Sequence, residues 1–183
     1  MLSAFVAAVA FQAAIVAYIP LQASRIRTTG EEVLLPLMPN DPYDLLAGYS
    51  MTLRYEASDL DRFRQTGFRR GDELFVRLRK APDGLYDAVS ASPAMPILES
   101  DEVVLKGRVD RFRNAEFGIE TFYFPEDVRE EINDEAVRAL GSPTDTEAER
   151  TRARKQAYAE VRVDDRGRAS LTGIFLNGKA YRY

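Results

Sequence analysis

The first 24 residues carry no charged side chain, and this feature constrains the chain more than any other. The stretch from Leu2 to Ile19 is about as long as an α-helix must be to cross the ~30 Å hydrocarbon core of a bilayer. Its strongly apolar residues favour insertion by roughly 0.3–0.6 kcal/mol each, or about 2–5 kcal/mol together. The segment therefore predicts a transmembrane helix, with Tyr18 as an interfacial anchor and Pro20 where the helix stops.

Two other interpretations of this segment stay open. Ala23 follows a small-residue cleavage site, as in a secretory signal peptide, although no Lys or Arg precedes the apolar run. A buried helix of a soluble protein usually has a polar face, which this segment lacks. Arg25 and Arg27 follow the segment, and the positive-inside rule would hold them in the cytoplasm. We divide the chain into an anchor (or signal peptide) at 1–23 and a β-rich domain at 24–183.

The missing residue types exclude several functions. The chain has no Cys and no His, which excludes disulfides, thiol nucleophiles, Cys- or His-based metal sites and Ser-His-Asp catalysis. The net charge is −4 with both signs interspersed, so the basic stripe that nucleic acid selects is missing. Carboxylate, Lys, Tyr and Ser/Thr chemistry remains. We expect no cofactor and no metal.

Beyond the apolar segment, alternating patterns predict antiparallel strands. They lie at Val33–Leu37, Met51–Tyr55, Leu74–Leu78, Val103–Val109, Glu120–Phe124, Tyr158–Val163, Ala169–Leu176 and Ala180–Tyr183. The last three are joined by turns at Asp164–Gly167 and at Asn177-Gly178, and Asn-Gly is the strongest short hairpin signal. The C-terminal part is therefore predicted to be a three-stranded meander.

One amphipathic helix is predicted after Pro125, which suits a first helical position. Its apolar stripe runs from Val128 to Leu140, and Gly141 ends it. A second segment begins with a capping box at Thr146–Glu149, but its four cations leave almost no apolar face, so we expect a solvated helix or loop. The expected fold is α+β, mainly antiparallel β in a small barrel or sandwich-like arrangement, preceded by the transmembrane helix.

Three ordered blocks carry a resemblance to a known family. The run from Asp41 to Tyr55, DPYDLLAGYSMTLRY, resembles the signature of the bacterial GDYXXLXY-motif family. Gly48, Leu53 and Tyr55 match the named motif, whereas Tyr49 and Ser50 stand where it has Asp and Tyr. Residues 117–126 resemble the second block, and residues 159–178 resemble the closing hairpin.

The resemblance implies an N-terminal membrane helix followed by an extracytoplasmic domain, with no established activity. It favours a single-pass protein of the inner membrane that contacts lipid through its helix and binds another membrane or envelope protein. The candidate binding positions are the motif residues and their neighbours. They are Asp41, Asp44, Gly48, Leu53, Tyr55, Gly118 and Glu120.

Two other groups of residues allow both a functional and a structural interpretation. Ser92-Pro-Ala-Met-Pro96 followed by Lys106 resembles, faintly, a Ser/Lys hydrolase, for which a Lys base must lose its charge by desolvation. The alternative is a proline-rich loop and a solvated Lys. Glu120 beside Phe117-Gly118 could bind a partner's cation or backbone amides; the alternative is an exposed strand Glu paired with an Arg.

Carboxylate pairs and aromatic residues receive mainly structural interpretations. Three acidic pairs lie close in sequence, but none has the spacing of a calcium loop, and Asp164-Asp165 is better explained as turn chemistry. The pairs are Asp41/Asp44, Asp59/Asp61 and Asp164/Asp165. Tyr55, Phe75, Tyr86, Phe112, Phe122 and Phe124 are expected mostly in the core.

The leading hypothesis is a membrane-anchored interaction domain without catalysis. Its rivals are a membrane-associated hydrolase, using a Ser/Lys or carboxylate site, and a small-ligand-binding β-barrel.

Overall fold

The computed structural model describes residues 2–39, 46–47, 49–63, 67–140 and 147–182. The helices are α1 (Leu2–Thr29), α2 (Arg129–Leu140) and α3 (Glu147–Gln156). The strands are β1 (Glu31–Pro36), β2 (Leu46–Ala47), β3 (Ser50–Thr52), β4 (Glu73–Lys80), β5 (Tyr86–Ser92), β6 (Glu102–Val109), β7 (Ala115–Glu116), β8 (Thr121–Tyr123), β9 (Ala157–Val163), β10 (Ala169–Leu176) and β11 (Lys179–Arg182). The expected fold class, mainly antiparallel β with an amphipathic helix, is confirmed.

Helix α1 continues through Pro20 to Thr29, so the expected stop at Pro20 is wrong. A proline inside a helix removes one backbone hydrogen bond, and the later turns offset this loss because Ile26 packs into the β-domain with 5% of its surface exposed. The amide of Gly30 then donates to the Ile26 carbonyl at 2.9 Å and closes the last turn. Within the described part of the chain, none of the helices combines the length and hydropathy that a membrane span requires.

The C-terminal meander is confirmed and gains a fourth strand. β9, β10 and β11 pair in sequence order, and β1 pairs antiparallel with the outer side of β9. Asn177 and Gly178 have φ angles of 50° and 83°, which is the backbone of the tight hairpin turn that Asn-Gly predicts. A strand from the start of the domain is therefore held by strands from its end.

A second sheet has the order β5-β4-β6-β7. The sequence predicted neither the two-residue strand β7 nor the longer strand β5. The sequence of β5, YDAVSAS, is rich in small and polar residues, so it lacks the alternation used to identify strands. It forms because β4 supplies a full ladder of pairing partners, with a register shift between Arg77 and Leu78. The amide of Lys106 donates to the Gly167 carbonyl at 2.8 Å and joins β6 to the turn between β9 and β10.

The third sheet, β2-β3-β8, is small and brings the motif region to the second block of the family resemblance. Met51 pairs with Phe122, and both are buried. Side chains from the three sheets and from α2 form one hydrophobic core, in which Ile132 and Ala136 of α2 face the strands. The apolar stripe predicted for this helix is thereby confirmed.

Arg154 connects helix α3 to the domain through ion pairs. The Arg154 guanidinium contacts Glu56 at 3.1 Å, Asp83 at 4.0 Å and the Asp87 carboxylate. Only 17% of the Arg154 side chain is exposed. The expectation of a fully solvated segment is therefore wrong at this position, because three carboxylates from distant parts of the chain converge there.

Candidate functional site

The matching part of the motif and the second block meet at Tyr55. Its hydroxyl donates to the Ile119 carbonyl at 2.6 Å, and its side chain is fully buried. Two residues earlier, the amide of Leu53 donates to the Glu120 carbonyl at 2.7 Å. Leu53 and Tyr55 therefore hold residues 119–120 in place from beneath, and their role in the described structure is to position that turn.

Glu120 closes the turn on its own backbone. Its carboxylate accepts the amides of Phe117 at 2.5 Å and Gly118 at 2.9 Å. Gly118 has a φ of +80°, a conformation that costs glycine little and most residues more. Glu120 is half-buried and lies just before β8, so its interpretation as an exposed strand residue is wrong. Its carboxylate binds backbone amides of this chain, and the hypothesis that it binds a partner's cation or backbone amides stays a prediction.

The environment of Glu120 alters its protonation. Burial raises the pKa of the Glu120 carboxyl above its ordinary value of 4.5, because the charged form loses water. The Phe117 and Gly118 amides oppose this effect, and the nearby charge of Glu116 adds to it. A half-buried carboxyl with a raised pKa is typical of functional sites.

Glu120 lies at an open cleft between the end of α1 and the β-domain. The cleft has a volume of about 740 Å³, and we call it the Glu120 cleft. Its walls come from α1, from β6, from residues 116–123 and from the start of β10. The charged residues that line it are Arg27, Glu73, Lys106, Arg108, Glu116, Glu120 and Arg168.

Several of these charges are held by neighbours. Lys106 Nζ lies 2.8 Å from a Glu73 carboxylate oxygen, and Arg27 Nε donates to the Ser170 hydroxyl at 3.1 Å. Arg168 is fixed by Asp164, whose carboxylate lies 2.6 Å from its guanidinium. The cleft therefore has ordered walls in which both signs of charge alternate with Phe117, Ile119 and exposed Tyr123.

The residues of the Ser/Lys hypothesis are held apart. Ser92 and Lys106 both pair with Phe75, from opposite sides of β4, so their backbones are two strand spacings apart, roughly 10 Å. The Ser92 hydroxyl donates to the Ala94 carbonyl at 2.6 Å, while the Lys106 ammonium contacts Glu73. Neither side chain contacts the other, so a direct transfer of the Ser92 proton to Lys106 has no support in this geometry.

In each acidic pair that the structure describes, one member serves a turn or a helix end. Asp59 accepts the Asp61 amide at 3.0 Å, and Asp164 accepts the amides of Arg166 and Arg168. The turn interpretation of Asp164 is confirmed. Among the described residues, no group of three or more potential metal ligands occurs.

Three of the candidate positions lie outside the described residues: Asp41, Asp44 and Gly48. Of the aromatic residues expected in the core, four are buried there: Tyr55, Tyr86, Phe122 and Phe124. The exceptions are Phe112, with 68% of its surface exposed, and Phe75, which is half-buried.

The sequence did not indicate that α1 forms one wall of the site. The cleft is lined by four residues of α1: Gln22, Ala23, Ile26 and Arg27. The first two belong to the segment predicted to be the anchor. The sequence did contain a signal that the helix extends past Pro20, because Ile26 continues the apolar spacing of a helix there. Arg108 was also missed, since one cation in a strand resembles any solvated residue.

A comparison with protein families gives a match to the family model described as GDYXXLXY protein, over residues 12–174. The match begins inside α1 and ends inside β10, so it includes all the residues that line the Glu120 cleft. No curated protein matches the chain. No solved structure matches it either.

Proposed function

The chain belongs to the GDYXXLXY protein family, and from this premise we propose that it is a membrane-tethered interaction module that binds a partner protein in the Glu120 cleft. The single observation that carries the proposal is the composition of the cleft. Ordered charges of both signs surround a few apolar side chains at the base of the helix that would form the tether. This arrangement suits a segment of protein better than a small ligand, whose pockets are mostly apolar.

The tether rests on the apolar segment at 2–19. Its length and lack of charge favour insertion into lipid, and the family match includes the second half of it. Because α1 runs directly into the wall of the cleft, a partner bound there would lie beside the membrane. A membrane-embedded or envelope protein is the partner that this position favours.

Binding rather than catalysis is supported by the residue inventory. The chain lacks Cys, an intrinsically strong nucleophile, and His, the most frequent general base. Lys106 and Glu73 neutralise each other at the cleft wall, and Glu120 is engaged by two amides. These groups are better suited to fixing the shape of a surface than to transferring protons.

For the location of the domain, we propose the extracytoplasmic side of the inner membrane, as the family resemblance implies. Arg25 and Arg27 favour the opposite orientation. A pair of reporters at the C terminus of the full chain, one active only outside the cytoplasm and one only inside it, distinguishes the two. Activity of the inside reporter alone would overturn the proposed orientation.

Site-specific crosslinking in intact cells tests the binding site. A photoreactive amino acid replaces Thr121, which is exposed at the cleft, and we expect one crosslinked product of defined mass. The same amino acid at Val137, which is 53% exposed on α2 and does not line the cleft, is the matched control. A charge reversal, Arg108→Glu, should reduce the Thr121 product at least about tenfold, because each 1.4 kcal/mol of lost binding changes affinity tenfold.

Two results would count against the interaction module. The first is equal crosslinking at Thr121 and Val137, which would mean contact without a site. The second is a Thr121 product that is unchanged by Arg108→Glu while unfolding measurements show both proteins folded.

A further inference from the structure

The loop between β5 and β6 contains large apolar side chains that are exposed and are not packed in the core. Ile97 has 95% of its surface exposed and Met95 has 44%. Residues 93–98 contain two prolines and no charged side chain. The Ser92 hydroxyl, donating to the Ala94 carbonyl at 2.6 Å, ties the start of this loop to the end of β5. Exposed apolar groups that are adjacent and held in a loop are typical of an interaction surface.

The position of the loop indicates what it contacts. Leu98 lines a second cleft, of about 840 Å³, together with Tyr18, Leu21 and Arg25 of α1. The loop therefore lies beside the part of α1 at which the uncharged segment ends. Tyr18 and Leu21 are 64% and 68% exposed, so the apolar surface of the helix extends toward the loop.

Two exposed cations, Arg25 of α1 and Arg166 of the β9–β10 turn, line the same cleft as Leu98. Carboxylates line it as well, of which Glu102 and Asp164 are paired with arginines, whereas Glu31 and Asp165 are exposed. Cations next to a membrane segment interact favourably with anionic lipid headgroups, whereas aromatic and aliphatic side chains favour the zone just below them.

We propose that residues 93–98 form a second membrane contact, with Met95 and Ile97 inserted at the headgroup level of the bilayer beside the base of α1. This inference rests on the proposed tether. The second contact would fix how the β-domain sits on the membrane, because one helix alone leaves the domain free to rotate about the helix axis. Fixing that orientation would hold the Glu120 cleft at a constant angle to the membrane surface.

Single-cysteine labelling of the full chain tests this, since the natural sequence has no Cys. Three variants, Phe11→Cys, Ile97→Cys and Val137→Cys, are labelled with a polarity-sensitive fluorophore. Each is reconstituted into vesicles of phosphatidylcholine and phosphatidylglycerol, with or without a lipid that carries a nitroxide quencher near the headgroup. Phe11 reports on the tether, Ile97 on the loop, and Val137 is the exposed control on α2.

We expect a blue-shifted emission at positions 11 and 97, at least about twofold quenching by the nitroxide lipid at position 97, and neither effect at position 137. A blue shift at 11 with water-like emission at 97 would overturn the loop contact while leaving the tether intact. Water-like emission at both positions would overturn the tether and the loop contact together. A blue shift at 97 without lipid quenching would mean that the loop packs on protein, either this chain or a second copy of it, and would overturn the proposal.

Discussion

Tyr55 shows how one residue of the motif acts through its neighbours. Its ring is fully buried in the core, and its hydroxyl reaches the Ile119 carbonyl in the turn that Glu120 closes. Burying a hydroxyl without a hydrogen-bond partner costs free energy, and the Ile119 carbonyl provides that partner here. The motif tyrosine therefore links the core to the wall of the cleft.

We predict that Tyr55→Phe destabilises the fold by about 1–3 kcal/mol, because the Ile119 carbonyl loses its donor in a buried place. Chemical denaturation of the full chain in detergent measures the change in the free energy of unfolding. Tyr49→Phe is the matched control, since Tyr49 is 55% exposed, and we expect a change within about 0.5 kcal/mol. Equal effects of the two substitutions would contradict the proposed role of the Tyr55 hydroxyl.

A second prediction at this scale concerns the protonation of Glu120. Because burial raises its pKa in the folded state, the folded chain binds this proton more tightly than the unfolded chain does. The contribution of Glu120 to stability is therefore fully present below pH 4.5 and is lost as the pH rises through the folded pKa. Glu120→Gln lacks this titration.

The measurement for Glu120 is the free energy of unfolding at about pH 4 and about pH 7 for the natural chain and the variant. We expect the free energy of unfolding of Glu120→Gln, relative to that of the natural chain, to be larger at the higher pH than at the lower one. Glu130→Gln, at an exposed position on α2, controls for the general effect of removing a carboxylate. A difference that moves the other way would show that the turn favours the ionised form.

At the scale of elements, α3 depends on a tertiary ion cluster more than on its own sequence. It is a highly charged helix, and it is connected to the domain by Arg154, whose partners include Glu56 and Asp87. These carboxylates lie 98 and 67 residues away in the chain. Few apolar contacts support such a helix, so the guanidinium determines whether it stays docked.

We predict that Arg154→Ala destabilises the protein by about 1–3 kcal/mol, because it removes hydrogen bonds to charged groups that are partly buried. Amide hydrogen exchange should become faster across residues 147–156 and remain unchanged in β4 and β6. Arg152→Ala removes an exposed cation from the same helix and is the control. Unchanged exchange in α3 after Arg154→Ala would mean that other contacts hold the helix.

At the scale of the whole molecule, α1 has two parts with different surroundings. Ile26 is buried against the β-domain, whereas Phe11 and Val16 are 69% and 74% exposed. Exposing that fraction of a large apolar side chain to water is unfavourable. Insertion of the first part into lipid would remove them from water, and the second part would then hold the domain close to the bilayer.

We predict that the double substitution Phe11→Lys with Val16→Lys releases the protein from membranes. Each central lysine opposes insertion by about 2.5–3.5 kcal/mol, so two exceed the roughly 2–5 kcal/mol that favour it. The measurement is the fraction of the full chain that sediments with membranes after an alkaline wash. Phe112→Lys, at a residue 68% exposed in the β-domain, should leave that fraction unchanged. Retention of the double variant would contradict the tether.

The sequence alone predicted what depends on local order. The C-terminal meander follows from alternating side chains and an Asn-Gly turn, and α2 follows from its apolar spacing, because these signals arise from neighbours in the chain. The pairing of the motif with residues 117–126 was indicated only as two separate blocks. Their order in the chain could not show that Tyr55 and Ile119 are in contact.

Only the tertiary structure decided the rest. β5 has a weak strand sequence and forms because β4 offers it a pairing partner. The helix passes Pro20 because Ile26 gains a buried site, and Arg154 differs from its neighbouring cations because three distant carboxylates surround it. In each case the deciding contact joins residues far apart in sequence. The energy of that contact depends on the complete fold, so a local sequence pattern cannot predict it.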